Sequence, residues 1–144
     1  MKKTLLSIFI ILFDQLTKFI VEKYLYFKQI TVIDNILLLT YVQNRGGAWG
    51  IFNDIPLLFI FLIPVVVGFL IYYGIKSKTK LEILSVNMII GGALGNYIDR
   101  LVRGYVVDFI DFRIWPVFNV ADIFVVGGGI LLVLSAILVK NNGK

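Results

Sequence analysis

The sequence predicts an all-α membrane protein with four transmembrane helices and a small β-sheet or hairpin outside the membrane. Of its 144 residues, 59% are hydrophobic and only 16% are charged, and the mean hydropathy is +0.92. An ordinary soluble domain is about half apolar and about a quarter charged. Four segments reach the roughly 20 mostly apolar residues that a membrane-crossing helix needs. We expect one integral membrane domain over residues 1–144.

The four predicted spans cover residues 4–22, 56–75, 81–98 and 119–140. The first contains Asp14, Gln15 and Lys18. It therefore lacks the uninterrupted apolar core and the small-residue cleavage site of a removable signal peptide, and it is expected to be retained. In the third span, Gly91 and Gly95 have the spacing that permits close helix approach.

The segment of residues 24–53, between the first two spans, has a different composition. Its stretches ITVI and LLLTYVQ are rich in β-branched and aromatic residues and flank the turn-prone pair Asp34-Asn35. This pattern predicts a small hairpin or sheet at the outer surface of the membrane.

The distribution of lysines predicts the orientation. With four spans, one side of the membrane receives Lys2, Lys3, Lys76, Lys78, Lys80, Lys140 and Lys144. By the positive-inside rule that side is the cytoplasm, so both termini are expected there. The net charge of +5 is then explained by lysines and arginines at membrane edges rather than by a nucleic-acid partner.

The chain has no Cys and no His, which excludes thiol nucleophiles, imidazole bases and the usual zinc ligand sets. The candidate catalytic groups are Asp108 and Asp122, which the predicted spans place near the same membrane face. Two neighbouring carboxylates cannot easily both ionise, so one keeps a proton while the other can act as a base toward water.

The alternative interpretation of Asp122 is helix capping, with Asn119 as the N-cap of the fourth span and the carboxylate in its first turn. The two roles are compatible, because the helix dipole favours a charged Asp122 and leaves Asp108 as the carrier of the shared proton. Capping does not explain Asp108.

Three further clusters carry polar groups. Asn96 and Asp99 lie one helical turn apart at the end of the third span, where a carboxylate needs a cation, supplied by Arg100, Arg103 or Arg45. Asp14 and Lys18 are spaced as a helical ion pair, which is more often structural than catalytic. The loop QNRGGAWG, residues 43–50, has the glycine content of a tight turn or of a backbone that approaches a peptide ligand closely.

Five motifs together resemble lipoprotein signal peptidase, the signal peptidase II family. In chain order they are FDQLTK, NRGGAWG, GGALGNYIDR, VVDF and FNVAD. The resemblance covers almost the whole chain. It implies that Asp108 and Asp122 are the catalytic pair. It also implies supporting or substrate-binding roles for Asp14, Lys18, Asn44, Gly46, Asn96, Asp99, Arg100, Asn119 and Ala121. In such an enzyme we expect QNRGGAWG to clamp the substrate peptide, with Trp49 as a contact residue.

The resemblance implies an aspartic endopeptidase of the bacterial cell membrane that needs no metal or organic cofactor. Its expected substrate is a prolipoprotein, cut before a diacylglyceryl-modified cysteine, with the active site near the outer face. The expected partners are this substrate and membrane lipid, and the protein is expected to be a monomer.

Two other function classes remain open at this point. Asp and Lys residues inside apolar spans often mark ion paths, so a small ion or proton transporter subunit is the main alternative. Clustered aspartates near a membrane also bind magnesium in lipid phosphotransferases. GYVVDFID is similar to half of the CDP-alcohol phosphotransferase signature, but the other half is missing.

Overall fold

In a computed structural model, residues 4–26, 28–46, 56–77 and 79–142 are described. They form four α-helices and one three-stranded sheet. The helices are α1 (Leu5–Leu25), α2 (Pro56–Lys76), α3 (Lys80–Val102) and α4 (Val120–Asn142). The strands are β1 (Ile30–Ile33), β2 (Leu37–Asn44) and β3 (Val106–Asp111). Each predicted span thus corresponds to one helix, with ends that differ by up to four residues.

Three of these helices are long and apolar enough to cross a membrane: Leu57–Lys76, Lys80–Val102 and Val120–Val139. Helix α1 has 21 residues, but it carries Asp14, Lys18, Glu22 and Lys23 and is not among the three. The structure therefore supports a mostly helical membrane protein with three candidate spans, and the fourth span remains a prediction.

Helix α3 packs against each of the other three helices. Its first turn is closed by a capping box in which the Thr79 hydroxyl accepts from the Glu82 amide and the Glu82 carboxylate accepts from the Thr79 amide. The Thr79 hydroxyl lies 3.3 Å from that of Ser135 near the end of α4. The start of α3 and the end of α4 therefore lie together, and the polar residues Asn96, Asp99 and Asp122 are at the opposite end of this helix pair.

The sheet has the order β1-β2-β3 with antiparallel neighbours. The predicted hairpin is confirmed for β1 and β2, which are joined by a turn in which Asn35 has a φ of 60°. The third strand was not predicted. It lies outside the residues 24–53 that were expected to form the β element, and it carries the VVDF motif.

Candidate active site

Strand β3 directs Asp108 away from the hydrophobic core. Alternate side chains of a strand point to opposite faces. Val107 and Phe109 pack in a buried cluster with Val21, Leu25 and Val120. Asp108 points the other way and, with Val106, lines a cavity of about 200 Å³.

The second carboxylate, Asp122, lies in the first turn of α4 and lines the same cavity. Asn119 and Asp122 cap the helix reciprocally. The Asn119 amide N donates to Asp122 Oδ2 at 3.1 Å, and the Asp122 amide N donates to Asn119 Oδ1 at 3.0 Å. The predicted capping role is therefore confirmed, and it coexists with a place in the cavity wall.

Asn119 also connects the two aspartates. Its Nδ2 donates to Asp108 Oδ1 at 2.6 Å while its backbone N binds Asp122. Since Asn119 is fully buried, these bonds fix both carboxylates relative to one side chain. The predicted spans place the two aspartates near one membrane face, and the structure brings them into one cavity.

Two further asparagines orient the pair from opposite sides. Asn44, the last residue of β2, donates from Nδ2 to Asp108 Oδ2 at 2.7 Å. The Gly46 amide donates to Asn44 Oδ1 at 3.1 Å and so fixes which end of the Asn44 side chain faces Asp108. Asn96 donates from Nδ2 to Asp122 Oδ1 at 2.8 Å.

The environment of Asp108 favours its protonated form. The pKa of this carboxyl is raised from 3.8 to about 7, mainly by burial and then by the negative charge of Asp122. The hydrogen bonds from Asn44 and Asn119 and the charge of Lys18 lower this pKa, but they do not offset burial. Asp108 is thus suited to hold a proton near neutral pH.

A buried ionic cluster supports the asparagines. Lys18 Nζ lies 2.8 Å from Asp14 Oδ2 and 2.9 Å from Asp99 Oδ2. It also donates to Asn96 Oδ1 at 2.8 Å. Because that amide oxygen is held by a cation, the Nδ2 end of Asn96 is directed at Asp122. The Asp14–Lys18 ion pair that the helical spacing predicted is therefore present, and it holds the asparagine that binds Asp122.

Asp14 also connects α1 to the start of α4. Its Oδ1 accepts a hydrogen bond from the Ala121 amide at 2.9 Å. Gly95 leaves the necessary room, because a Cβ there would lie 2.6 Å from Asp14 Oδ2. The expected close helix approach at Gly91 and Gly95 is thus observed, and at Gly95 the group that fills the space is a carboxylate.

The cations around Asp99 differ in part from the expectation. Lys18 and Arg103 pair with Asp99, the latter with Nη1 at 2.6 Å from Oδ1. Arg100 does not bind Asp99. Its Nη1 donates to the Asn96 carbonyl at 3.2 Å and its guanidinium lies 4.4 Å from the centre of the Phe59 ring. The side chain of Arg100 lines the cavity shared by Asp108 and Asp122, and its buried Nε has no hydrogen-bond partner among the described residues.

Some of the cavity wall was not predicted. Trp115, Pro116, Val117 and Phe118 line the cavity between the two aspartates. These residues lie at or just before the FNVAD motif and follow VVDF. Their position is the one feature of the sequence that could have indicated them, because a chain that brings the two motifs together must fold the residues between them into a nearby loop. Trp49 and Gly47 of the glycine-rich loop lie outside the described residues.

Comparisons with known proteins agree over nearly the whole chain. A family described as signal peptidase (SPase) II matches residues 6–138. A lipoprotein signal peptidase of Halothermothrix orenii is 51% identical over 127 residues, which cover 87% of this chain and 88% of that protein. One of Caldicellulosiruptor bescii is 45% identical over 131 residues, covering 91% and 86%.

Two solved structures, each described as a bacterial membrane enzyme, have the same architecture. The first has a TM-score of 0.91 at 32% identity and covers 99% of this chain and 92% of its own. The second has a TM-score of 0.83 at 33% identity, with coverage of 94% and 92%. The similarity therefore extends from the sequence motifs to the complete fold.

Proposed function

Since this chain belongs to the signal peptidase II family, we propose that it removes the signal peptide from bacterial prolipoproteins as an aspartic endopeptidase. The bond cut is the one before the diacylglyceryl-modified cysteine. The observation that carries the catalytic assignment is the cavity shared by Asp108 and Asp122, with Asn119 hydrogen-bonded to both. The relatives named above are peptidases, so the transporter alternative is not supported.

The two aspartates have different roles in the proposed reaction. The ionised carboxylate of Asp122 removes a proton from a water molecule as that water attacks the scissile carbonyl carbon. Asp108 donates its proton to the carbonyl oxygen, which gives a tetrahedral diol. The raised pKa of Asp108, about 7, supports its role as the acid.

In the second step the diol collapses and the C–N bond breaks. Asp122 transfers the proton that it took to the leaving amine, and a hydroxyl of the diol returns a proton to Asp108. The products are the carboxylic acid of the signal peptide and the free amine of the lipidated cysteine, and the dyad keeps a net single proton. The atoms and protons of the two steps therefore balance with water as the only co-reactant.

The remaining polar residues position this chemistry. Asn44 and Asn119 together occupy both oxygens of Asp108, so the carboxyl group cannot rotate freely. Asn96 holds Asp122 from the α3 side. Arg100 has a buried Nε donor that no described residue accepts from, and we assign Arg100 to the binding of a substrate carbonyl.

The proposed membrane arrangement has four spans. Although α1 contains charged residues, Asp14 and Lys18 are fully buried and paired, while Leu12, Leu16 and Phe19 are exposed as a lipid-facing surface requires. The lysines at the far ends of α2 and α3, Lys76 and Lys80, support a cytoplasmic location for that side and for both termini. The cavity then lies near the outer face of the membrane.

A single chain supplies the whole dyad and its supports, which favours a monomeric enzyme. The substrate is held in the bilayer by its acyl chains, so its peptide bond reaches the cavity at the membrane surface. We further propose that Trp49, which follows β2 in the sequence, contacts the bound peptide from outside. If Trp49→Ala left the KM for cleavage unchanged in a correctly folded protein, this clamp would be wrong.

The decisive experiment measures cleavage of a diacylglyceryl-modified precursor by Asp108→Asn and Asp122→Asn. Each variant keeps the shape of the side chain and is expected to lose at least about 10²- to 10⁴-fold in kcat. Asp34→Asn, in the exposed β1–β2 turn, is the matched control and should retain normal turnover. Near-normal cleavage by either dyad variant with a normal melting temperature would exclude this mechanism.

A further inference from the structure

The connection between β3 and α4 carries an unusually exposed apolar tip, which we call the β3–α4 tip (residues 112–115). Ile114 is 91% exposed, Trp115 62% and Phe112 40%. Arg113, between them, has a side chain that is 55% exposed. Adjacent exposed apolar side chains of this size indicate a contact surface rather than ordinary surface composition.

The tip has a defined conformation. Arg113 has a φ of 68°, in the left-handed region that a non-glycine residue adopts at a cost. That conformation is held by the Arg113 amide, which donates to Asp111 Oδ1 at 2.7 Å. The Ile114 amide donates to the Phe112 carbonyl at 2.8 Å, and the rings of Phe112 and Phe118 stack at 5.9 Å. The local bonds therefore turn the apolar side chains outward.

The tip is also firmly attached to the catalytic site. The amide of Phe118 donates to the Ile110 carbonyl at 3.1 Å, and the amide of Ile110 donates back to the Phe118 carbonyl at 2.8 Å. Ile110 is two residues from Asp108 on the same strand, and Trp115 itself lines the catalytic cavity. A displacement of the tip therefore displaces the wall of the cavity.

The position of the tip identifies what it contacts. Helix α4 begins only five residues after Trp115, and its Val120–Val139 segment is a candidate membrane span. Its side chains Ile123 and Val126 are 49% and 61% exposed, so the apolar surface of the tip continues into a lipid-facing one. Tryptophan is enriched at the membrane–water interface, and a cation such as Arg113 is attracted to lipid phosphates.

We propose that the β3–α4 tip inserts into the membrane surface and fixes the depth of the Asp108–Asp122 cavity relative to the lipid. The diacylglyceryl group sets the depth of the scissile bond, because its glycerol must lie at the boundary between head groups and acyl chains. Cleavage requires the dyad at that same depth. The match between the depth of the dyad and that of the scissile bond rests on the proposed function, whereas the insertion of the tip does not.

The first test uses fluorescence and involves no cleavage. The chain has two tryptophans, so Trp49→Phe leaves Trp115 as the single reporter. The variant is placed in nanodiscs of phosphatidylcholine and phosphatidylglycerol, with bromine on the acyl chains at a shallow or a deep position. We expect blue-shifted Trp115 emission that shallow bromines quench most strongly and that aqueous iodide quenches little.

The control moves the reporter to an exposed polar position at the start of β1. In a chain with Trp49→Phe and Trp115→Phe, the additional change Gln29→Trp should give emission that iodide quenches and brominated lipid does not. If Trp115 behaved like this control, the tip would lie in water and the inference would be wrong.

The second test compares cleavage in nanodiscs and in detergent micelles, where the depth of a bilayer no longer constrains the substrate. Ile114→Asn should lower kcat/KM about 10- to 100-fold in nanodiscs and change it by less than about twofold in micelles. Ile36→Asn changes an isoleucine that is 54% exposed at the β1–β2 turn and should alter neither value.

An equal loss for Ile114→Asn in both environments would indicate a structural defect and overturn the depth-setting role. A failure of the proposed function can be told apart from a failure of this inference. In the first case Asp108→Asn and Asp122→Asn retain cleavage, and this result does not depend on the bromine quenching of Trp115.

Discussion

The ammonium group of Lys18 on α1 lies 2.9 Å from the carboxylate of Asp99 on α3, and both side chains are fully buried. Asp14 and Asn96 bind the same ammonium group. One lysine thus joins two helices and orients the asparagine that holds Asp122.

Lys18→Met should strongly destabilise the protein. The substitution leaves two buried carboxylates without their shared cation, and breaking a buried ion pair in this way costs about 3–5 kcal/mol. Thermal unfolding in detergent measures the effect. Lys23→Met, at an exposed lysine of the same helix, is the control and should change stability by less than about 0.5 kcal/mol. Equal melting temperatures for the two variants would contradict the central role of Lys18.

Gly95→Ala should disturb the contact between α1, α3 and α4. The new Cβ would lie 2.6 Å from Asp14 Oδ2 and 3.5 Å from the Ala121 Cβ. Such overpacking costs about 1–3 kcal/mol. The matched control is Gly68→Ala in α2, where a Cβ meets nothing within 4 Å and where alanine should be neutral or stabilise the helix. A similar loss of stability in both variants would mean that the packing at Gly95 is not the cause.

The pH dependence of cleavage should report the protonation of Asp108. Because the acid must carry its proton, kcat/KM should fall as the pH rises through about 7, the raised pKa of this group. The hydrogen bond from Asn44 lowers this pKa, so Asn44→Ala should move the alkaline limb of the profile to higher pH. A limb that stayed in place would show that another group controls it.

The titration of Asp108 also makes the stability of the fold depend on pH. The direction is opposite to that of an ordinary paired aspartate, whose contribution to stability increases as the pH rises. The pKa of Asp108 is higher in the folded state than the value of 3.8 for the free side chain, so the fold binds its proton more tightly. This contribution is fully present below about pH 4 and is lost as the pH rises through about 7. Asparagine does not titrate, so Asp108→Asn should lack this decrease in stability between about pH 4 and pH 7. Thermal unfolding of both proteins at several pH values measures the difference.

Arg100→Lys should weaken substrate binding more than chemistry. Lysine keeps the charge but lacks the planar donor set, including the buried Nε that is unpaired in the part of the chain that the structure describes. We expect KM to rise about 10-fold, the effect of about 1.4 kcal/mol, while kcat changes little. Michaelis analysis in detergent measures both constants, and a fall in kcat at constant KM would instead place Arg100 in the chemical step.

Activity should not depend on a divalent metal. Among the residues that the structure describes, no group of three or more Asp or Glu side chains could hold a metal ion. Because the proposed Asp108–Asp122 pair activates water by proton transfer, cleavage should persist in excess chelator, with the unchelated enzyme as control. Loss of activity that added magnesium restores would favour the metal-dependent alternative.

Much of the site could be predicted because it follows from local sequence. The helices are long apolar segments, and Asn119 and Asp122 form the capping pair that their spacing indicates. The Asp14–Lys18 pair likewise follows from its helical spacing. Such features depend on residues within one or two turns of each other.

The cations of Asp99 could not be assigned in the same way. Arg100, Arg103 and Arg45 were equally possible in sequence, but the helix directs Arg100 into the cavity and Arg103 back to Asp99. The buried partner from α1, Lys18, could be identified only once α1 and α3 were packed together.

By itself the sequence determined the apolar segments, the family motifs and the supply of carboxylates, since these depend on composition and on short-range spacing. Only the tertiary structure decided that VVDF is a strand, that Asp108 and Asp122 line one cavity, and that Trp115 closes its wall at an exposed tip. The physical reason is that the burial that raises the pKa of Asp108 and the hydrogen bonds that fix its position both arise from side chains distant in the chain.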